Sequence, residues 1–564
     1  MKTIIKRFIV TAIFLIVAIL IINHAPEYDL VYKYKDGDLR VIFNDKEITR
    51  DTTRLPQVAV LLNGEIMLSQ DTIDYLFDKD LFYEKKYDTL ITTYEEHRAD
   101  ITVGSHTIKV DGKEKAIKVP AVKTVYKYSN DDRYNGSIAT KEIIYVPIKE
   151  LEEVYDIFVD FNDKIVITQN NKNRSMVHVT AEEPLELKYA KDASSKVVER
   201  VEQGNYIEIF DFDDTIPFNV ARSYTGEIGY VSTEKIKINQ IEVVSTEKTI
   251  QASQKNIKLA WDYLNPDVSG IGEISSRKRV TQLDVVAPTI LFLQNVDGEV
   301  FYRIKTADEY IKWAKNCDYD IWVTFKNDSN TIQDTSDFLN DMNHRKRAID
   351  ELIAFCQKYS LQGINVDFEN MYQDDGEAFA QFVRELAVET RKQNLVLSVC
   401  VNVPDGSPTW SLCYKHKSLS EAADYIAVMT YDQNGASAKA PGPNASYEWV
   451  EENIKKLVER DGIEPKKLLL GLAFYSRFWK YSNGNLTSSS ISMQNSESYI
   501  SKSKWNDSAK QYYYENSSGT ESLWIEDKTS ISEKVKLIDK YDLGGFAIWK
   551  LGFESKNVWE AFGE

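Results

Sequence analysis

The chain runs to 564 residues, with 69 Lys and Arg against 87 Asp and Glu, a formal net charge of −18. That length exceeds one ordinary core and points to about two to four domains. The acidic balance, with no basic run to offset it, argues against a nucleic-acid partner. A composition 43% hydrophobic and 28% charged describes folded material and excludes a disordered chain.

The amino terminus carries an export signal. Lys2, Lys6 and Arg7 precede an apolar run over residues 8–22, the pattern of a signal sequence. Residues 1–28 are expected to be a signal anchor or signal peptide, with an uncleaved anchor preferred. The positive end would stay inside, so the rest of a bacterial chain would face the cell wall, or be secreted if the segment is cut. The four cysteines, Cys317, Cys356, Cys400 and Cys413, are expected to be mostly reduced and structural. Their spacing resembles no metal site, and neither a metal nor an organic cofactor is expected. The chain is expected to act as a monomer.

Residues 29–169 are strand-rich, with a weak repeat of strand, short helix, polar turn and strand. One unit runs through 64–68, 73–77 and 87–91, the other through 142–146, 148–154 and 161–167. The pattern resembles the α+β accessory domain named after the amino terminus of copper amine oxidases. The name implies no metal, and His97 and His106 stand isolated as solvated loop residues do. After the polar linker 170–175, residues 176–240 carry short strands at 185–189, 197–201, 206–210 and 229–231, with turns at Gly204 and Gly226. This segment resembles a bacterial SH3-like β-barrel, a wall-targeting module.

From residue 250 to 564 strand-like runs alternate with helical ones, the signature of a parallel α/β fold. Strands are expected at 257–261, 285–291, 321–325, 363–369, 396–401, 425–431, 468–474 and 545–549, with helices such as 307–316, 345–358 and 377–393 between them. Eight strands fit a (β/α)8 barrel, with a small α+β insertion at about 481–528 containing Trp505 and Trp524.

The fourth of these strands organises the rest. Along it Ile364, Val366 and Phe368 point one way, and Asn365, Asp367 and Glu369 the other. In a strand covered on both faces the polar row must line something. Gln362-Gly363-Ile364-Asn365-Val366-Asp367-Phe368-Glu369 resembles the Asp-Gly-x-Asp-x-Asp-x-Glu signature of glycoside hydrolase family 18. Gln362 and Asn365 replace its first two Asp residues, and the Asn variant resembles the spore cortex-lytic, peptidoglycan-cleaving branch more than the chitinases. Three further motifs, Met429-Thr430-Tyr431-Asp432, 471–477 and 544–549, fall where the family closes its sixth, seventh and eighth strands.

The resemblance implies a substrate-assisted retaining glycosidase, in which the 2-acetamido group of the sugar is the nucleophile. The geometry agrees: Asp367 and Glu369 share one strand face, with Cα atoms roughly 6–7 Å apart, so both meet the sugar from one side. Glu369 is the expected acid. By resemblance Asp367 accepts the acetamido N–H, Tyr431 donates to its carbonyl oxygen, and Trp549 forms the floor. Asn365, Met429, Asp432, Tyr475 and Arg477 are carried over as substrate-binding residues. Asn365, able to donate its N–H, is expected to keep Asp367 ionised. Peptidoglycan is the first expected substrate, chitin or chitooligosaccharide the second, and a non-catalytic, lectin-like wall-binding barrel is the reading from another class.

Overall fold

The computed structural model describes residues 39, 41–43, 46–48, 58–129, 138–161, 165–169, 176–210, 212–236, 256–328 and 330–563. Segment 8–22 lies outside them, and no helix among the described residues is long and apolar enough to cross a membrane.

Eight parallel strands close into a barrel: β1 (Ile257–Asp262), β2 (Val285–Leu293), β3 (Asp320–Lys326), β4 (Gly363–Asp367), β5 (Val396–Asn402), β6 (Tyr425–Met429), β7 (Leu468–Ala473) and β8 (Gly545–Trp549). Each pairs with its neighbours in sequence, and β1 pairs with both β2 and β8. The fold is therefore the expected α/β barrel. Helices α1 (Ile304–Asn316), α2 (Ile332–Leu339), α3 (Met342–Tyr359), α4 (Gly376–Lys392), α5 (His416–Ala422), α6 (Tyr447–Lys455) and α7 (Lys528–Tyr541) belong to its crossovers.

The two-residue period of the strands sorts their side chains into two cores. Outward residues such as Val323, Phe325, Ile364, Val366 and Phe368 pack against the helices. Inward residues, among them Trp261, Trp322, Cys400, Tyr425, Met429 and Leu469, fill the interior. Trp322 stacks on Tyr425 at 5.6 Å across the bottom of the barrel, and Gly363 makes room for it, since a Cβ there would fall 2.7 Å from the indole.

Two strand ends differ from expectation. β4 stops at Asp367 and β6 at Met429, so Glu369, Tyr431 and Asp432 lie on the loops beyond. The insertion also begins earlier than residue 481. After the single residue Phe474 the chain leaves β7 for a five-stranded antiparallel flap, whose first strand is Tyr475–Ser482. Residues 468–475 are buried throughout, and one unbroken apolar run hides a junction between two strands.

Before the barrel, residues 176–232 form a six-stranded antiparallel sheet that includes Phe218–Ser223, a strand absent from the sequence reading. Each of the two expected strand–helix–strand units keeps its opening strand and helix, Glu65–Ser69 with Gln70–Leu76 and Ile138–Pro147 with residues 148–155. The expected last strand of the first unit, found at Thr89–Tyr94, belongs instead to an unforeseen five-stranded meander, residues 82–116, which packs against α4. Arg345 of α3, fully buried, reaches Glu84 of the meander at 2.9 Å and Glu385 of α4 at 2.9 Å. Arg98 adds 3.4 Å to Glu385, Lys392 lies 3.0 Å from Asp111, and the α3 cap residue Asp341 accepts from Tyr87 and pairs with Lys86. The helices held in this way are the two that flank β4 in sequence.

Candidate active site

Glu369 is placed by its backbone. Asn327, just after β3, accepts from the Glu369 N–H at 2.9 Å and donates to the Glu369 carbonyl at 2.9 Å. The Tyr414 hydroxyl donates to the carbonyl of Phe368 at 2.7 Å. Beneath, the Phe368 ring sits among Phe325, Phe338, Phe379 and Phe382, at centroid distances between 5.2 and 6.0 Å. Burying such a ring is worth about 1.5–3 kcal/mol. The segment that carries the acid is thus fixed from both faces.

Asp367 and Lys326 occupy the same rung of β4 and β3, and the Lys326 ammonium lies 3.1 Å from Asp367 Oδ2. It is 3.9 Å from Glu369 Oε1, 3.6 Å from Asp328 and 5.8 Å from the centre of the Trp549 ring. Asp367 is 3% exposed, and its second oxygen, Oδ1, is buried with no hydrogen-bond partner among the described residues. Burial, ahead of the neighbouring Asp367 charge and against the pull of Lys326, pushes Glu369 up to about 8. Burial alone would lower Lys326, but Asp367 and Glu369 hold it well above its ordinary value. The result is a carboxyl that keeps its proton at neutral pH beside a cation-paired group with one acceptor open.

The remaining expected residues gather around this pair. Trp549 closes β8, 6.1 Å from Trp261 and 6.4 Å from the exposed Tyr263. β8 approaches β1 so closely that a Cβ on Gly545 would lie 2.0 Å from the Ile257 carbonyl oxygen. Met429 ends β6 inside the barrel. Tyr431 stands edge-on to Tyr475 at 6.2 Å. Burial, ahead of Tyr475, Cys400 and the two carboxylates, raises the Tyr431 hydroxyl well above its ordinary value, so it stays a donor. Asp432 has a φ of 60°, which breaks strand alternation and turns its carboxylate to Arg477 at 2.7 Å.

Asn365 is one layer deeper and serves the barrel itself. Its Oδ1 accepts from Trp261 Nε1 at 2.9 Å, and its Nδ2 donates to Ser398 Oγ at 2.7 Å. The expected hydrogen bond from Asn365 to Asp367 is therefore not made. Ser398 of β5 is the partner of Asn365 on its own rung, and Lys326 takes the place beside Asp367. Sequence reasoning missed Lys326 and Asn327. The signal was present: Lys326 falls in the same two-residue register as the inward Trp322 and Thr324. All four cysteines are free thiols, three of them buried. Among the described residues no group of three or more His, Cys, Asp or Glu is arranged to hold a metal ion.

Residues 294–554 match the family model described as glycosyl hydrolases family 18. The chain is 26% identical over 302 residues to the uncharacterized glycosylase YvbX of Bacillus subtilis, covering 51% of this chain and 86% of that protein. It is 26% identical over 241 residues to the cortical fragment-lytic enzyme of the same organism, covering 39% of this chain and 53% of that one. It thus spans about half the length of that relative. A solved chitinase from Chromobacterium violaceum superposes with a TM-score of 0.46 at 23% identity, over 54% of this chain and 98% of the other. Residues 294–554 are a glycosyl hydrolase family 18 domain, and the barrel is that of a glycosidase.

Proposed function

We propose that the protein cleaves the β-1,4 bond after N-acetylglucosamine in bacterial peptidoglycan, by substrate-assisted retaining catalysis. The observation that carries this reading is the open Oδ1 of Asp367, a buried anionic acceptor next to the protonated Glu369. An unused buried acceptor is costly unless a ligand supplies the donor. The N–H of a 2-acetamido group is such a donor.

Glu369 protonates the leaving oxygen as the C1–O bond breaks, and the acetamido carbonyl oxygen attacks C1 from the opposite face. Asp367 accepts the acetamido N–H and offsets the charge of the resulting oxazolinium ion. Tyr431 donates to the acetamido oxygen, and Trp549 lies under the ring. Glu369 then takes a proton from the water that opens the intermediate. Asp432, Tyr475 and Arg477 hold neighbouring sugar groups. The Asn365-containing signature and the similarity to the cortical fragment-lytic enzyme favour a wall glycan over chitin. Residues 8–22 anchor the chain in the cell membrane with the barrel outside, and the two β-rich domains hold it against the wall.

The test is digestion of purified peptidoglycan by the full chain beside Glu369→Gln, with mass analysis of the products. Muropeptides with new reducing N-acetylglucosamine ends, absent from the variant digest, are expected. Cleavage of chitooligosaccharides alone would move the substrate to chitin. Tight binding without products from either would leave a lectin.

A further inference from the structure

We infer that Lys326 is a positioning residue of the hydrolysis: its ammonium, opposite Asp367 on β3, fixes that carboxylate as an anion through Oδ2 and leaves Oδ1 for the substrate. The inference rests on the assignment of Asp367 as the acetamido acceptor. It goes beyond that assignment by naming what keeps the acceptor charged.

A carboxylate as buried as Asp367 is costly unless a cation or a hydrogen-bond donor offsets its charge. In the double-Asp form of the signature a carboxylate at position 365 could share a proton with it. Here that position is Asn365, whose amide is committed to Trp261 and Ser398. Lys326 is the one cation within ion-pair distance of Asp367 or Glu369 among the described residues. It is 7% exposed and set in register by the sheet itself. The other groups that face the two acids are Cys400 from β5, Tyr414, Tyr431, Asp328 and Asp432, and none of them is cationic.

The same ammonium serves the chemical step. Before reaction Lys326 stands between Asp367 at 3.1 Å, Asp328 at 3.6 Å and the protonated Glu369. When the Glu369 proton moves to the leaving oxygen, Glu369 becomes a second anion 3.9 Å from Lys326, while the positive charge appears on the oxazolinium. Opposite charges at this separation are stabilising most strongly where water is excluded.

The experiment compares Lys326→Met and Lys326→Arg with the wild type. In Lys326→Met, kcat on peptidoglycan should fall roughly tenfold to hundredfold with KM little changed, as expected for a misplaced reacting group. The limb of its pH profile set by Glu369 should move up, because a cation that favoured the charged form of that carboxyl has gone. Lys326→Arg should keep the wild-type limb. A fall in kcat with that limb unmoved would make Lys326 a packing residue and overturn the inference. The titrations of Asp367 and Glu369, followed by carboxyl 13C NMR of the full chain and assigned with Asp367→Asn and Glu369→Gln, read the same effect without substrate. If they are unchanged in Lys326→Met, the inference is wrong whatever the activity. A wild type inactive on every N-acetylhexosamine glycan would instead sink the proposed function, and the titrations would still decide the role of Lys326.

Discussion

Two glutamates, one on α4 and one on the loop before it, show how differently one side chain can be used. Glu385, on the helix, is 1% exposed and accepts from Arg345 at 2.9 and 3.2 Å and from Gln381 at 3.1 Å, with Arg98 at 3.4 Å. Burial alone would raise it, but Arg98 and Arg345 reverse that and hold it below its ordinary value. Glu369, before the helix, has one cation at 3.9 Å and an anion beside it, and burial pushes it up to about 8. A saturated network holds domains together. An incompletely matched one keeps a proton ready to leave.

The largest test of this contrast is to remove each group. Glu369→Gln is expected to cut turnover roughly 10²–10⁴-fold, the usual cost of losing a general acid, without loss of fold by circular dichroism. Arg345→Met leaves Glu385 and Glu84 buried with too little positive charge. It is expected to destabilise the chain by about 3–5 kcal/mol in denaturant unfolding, with kcat per folded molecule unchanged. If instead Arg345→Met abolished turnover at full stability, the division between the two sites would be wrong.

Their pH signatures should have opposite signs. Glu369 binds its proton more tightly folded than unfolded, so its contribution to stability falls as pH rises from its ordinary value of 4.5 through about 8. The melting temperature of Glu369→Gln relative to wild type should therefore climb over that interval and level off above it. Glu385 is depressed, so its contribution is complete above 4.5 and is lost as pH falls through the lowered value. Acid unfolding should accordingly begin at the interface of the meander with α3 and α4, seen as early amide exchange there. Turnover should fall as pH rises through about 8, where Glu369 gives up its proton to solvent. The smallest effect is a control on α3 itself. Lys346 and Asp350 form an exposed pair at 2.6 Å, and Lys346→Ala should cost at most about 0.5 kcal/mol.

The barrel was legible because its strands repeat one simple rule. The two-residue period placed Asn365 and Asp367 inward and Ile364, Val366 and Phe368 outward, as they are found. Where the period stops, so did the reading. Asp432 escaped it because a φ of 60° re-aims the side chain. The start of the flap escaped because the apolar run through β7 gives no sign of a change of sheet. Lys326 escaped for another reason: a lysine that ends a strand is normally solvated, and only the closure of the barrel puts it inside. The docking of the meander could not be read from local pattern at all. Arg345 and Glu84 are 261 positions apart, and charges at such distance leave no trace in either segment.

The handover from β7 to the flap after one residue has a consequence for how such barrels diversify. Tyr475 and Arg477 are flap residues by backbone, yet they meet Tyr431 and Asp432 at the mouth. A transplanted flap would therefore carry part of the lining of the barrel mouth with it, and a lengthened or shortened one would shift that lining relative to Glu369. Length of glycan and place of cut would then be inherited as one trait, passed between descendants by exchange of a single contiguous segment.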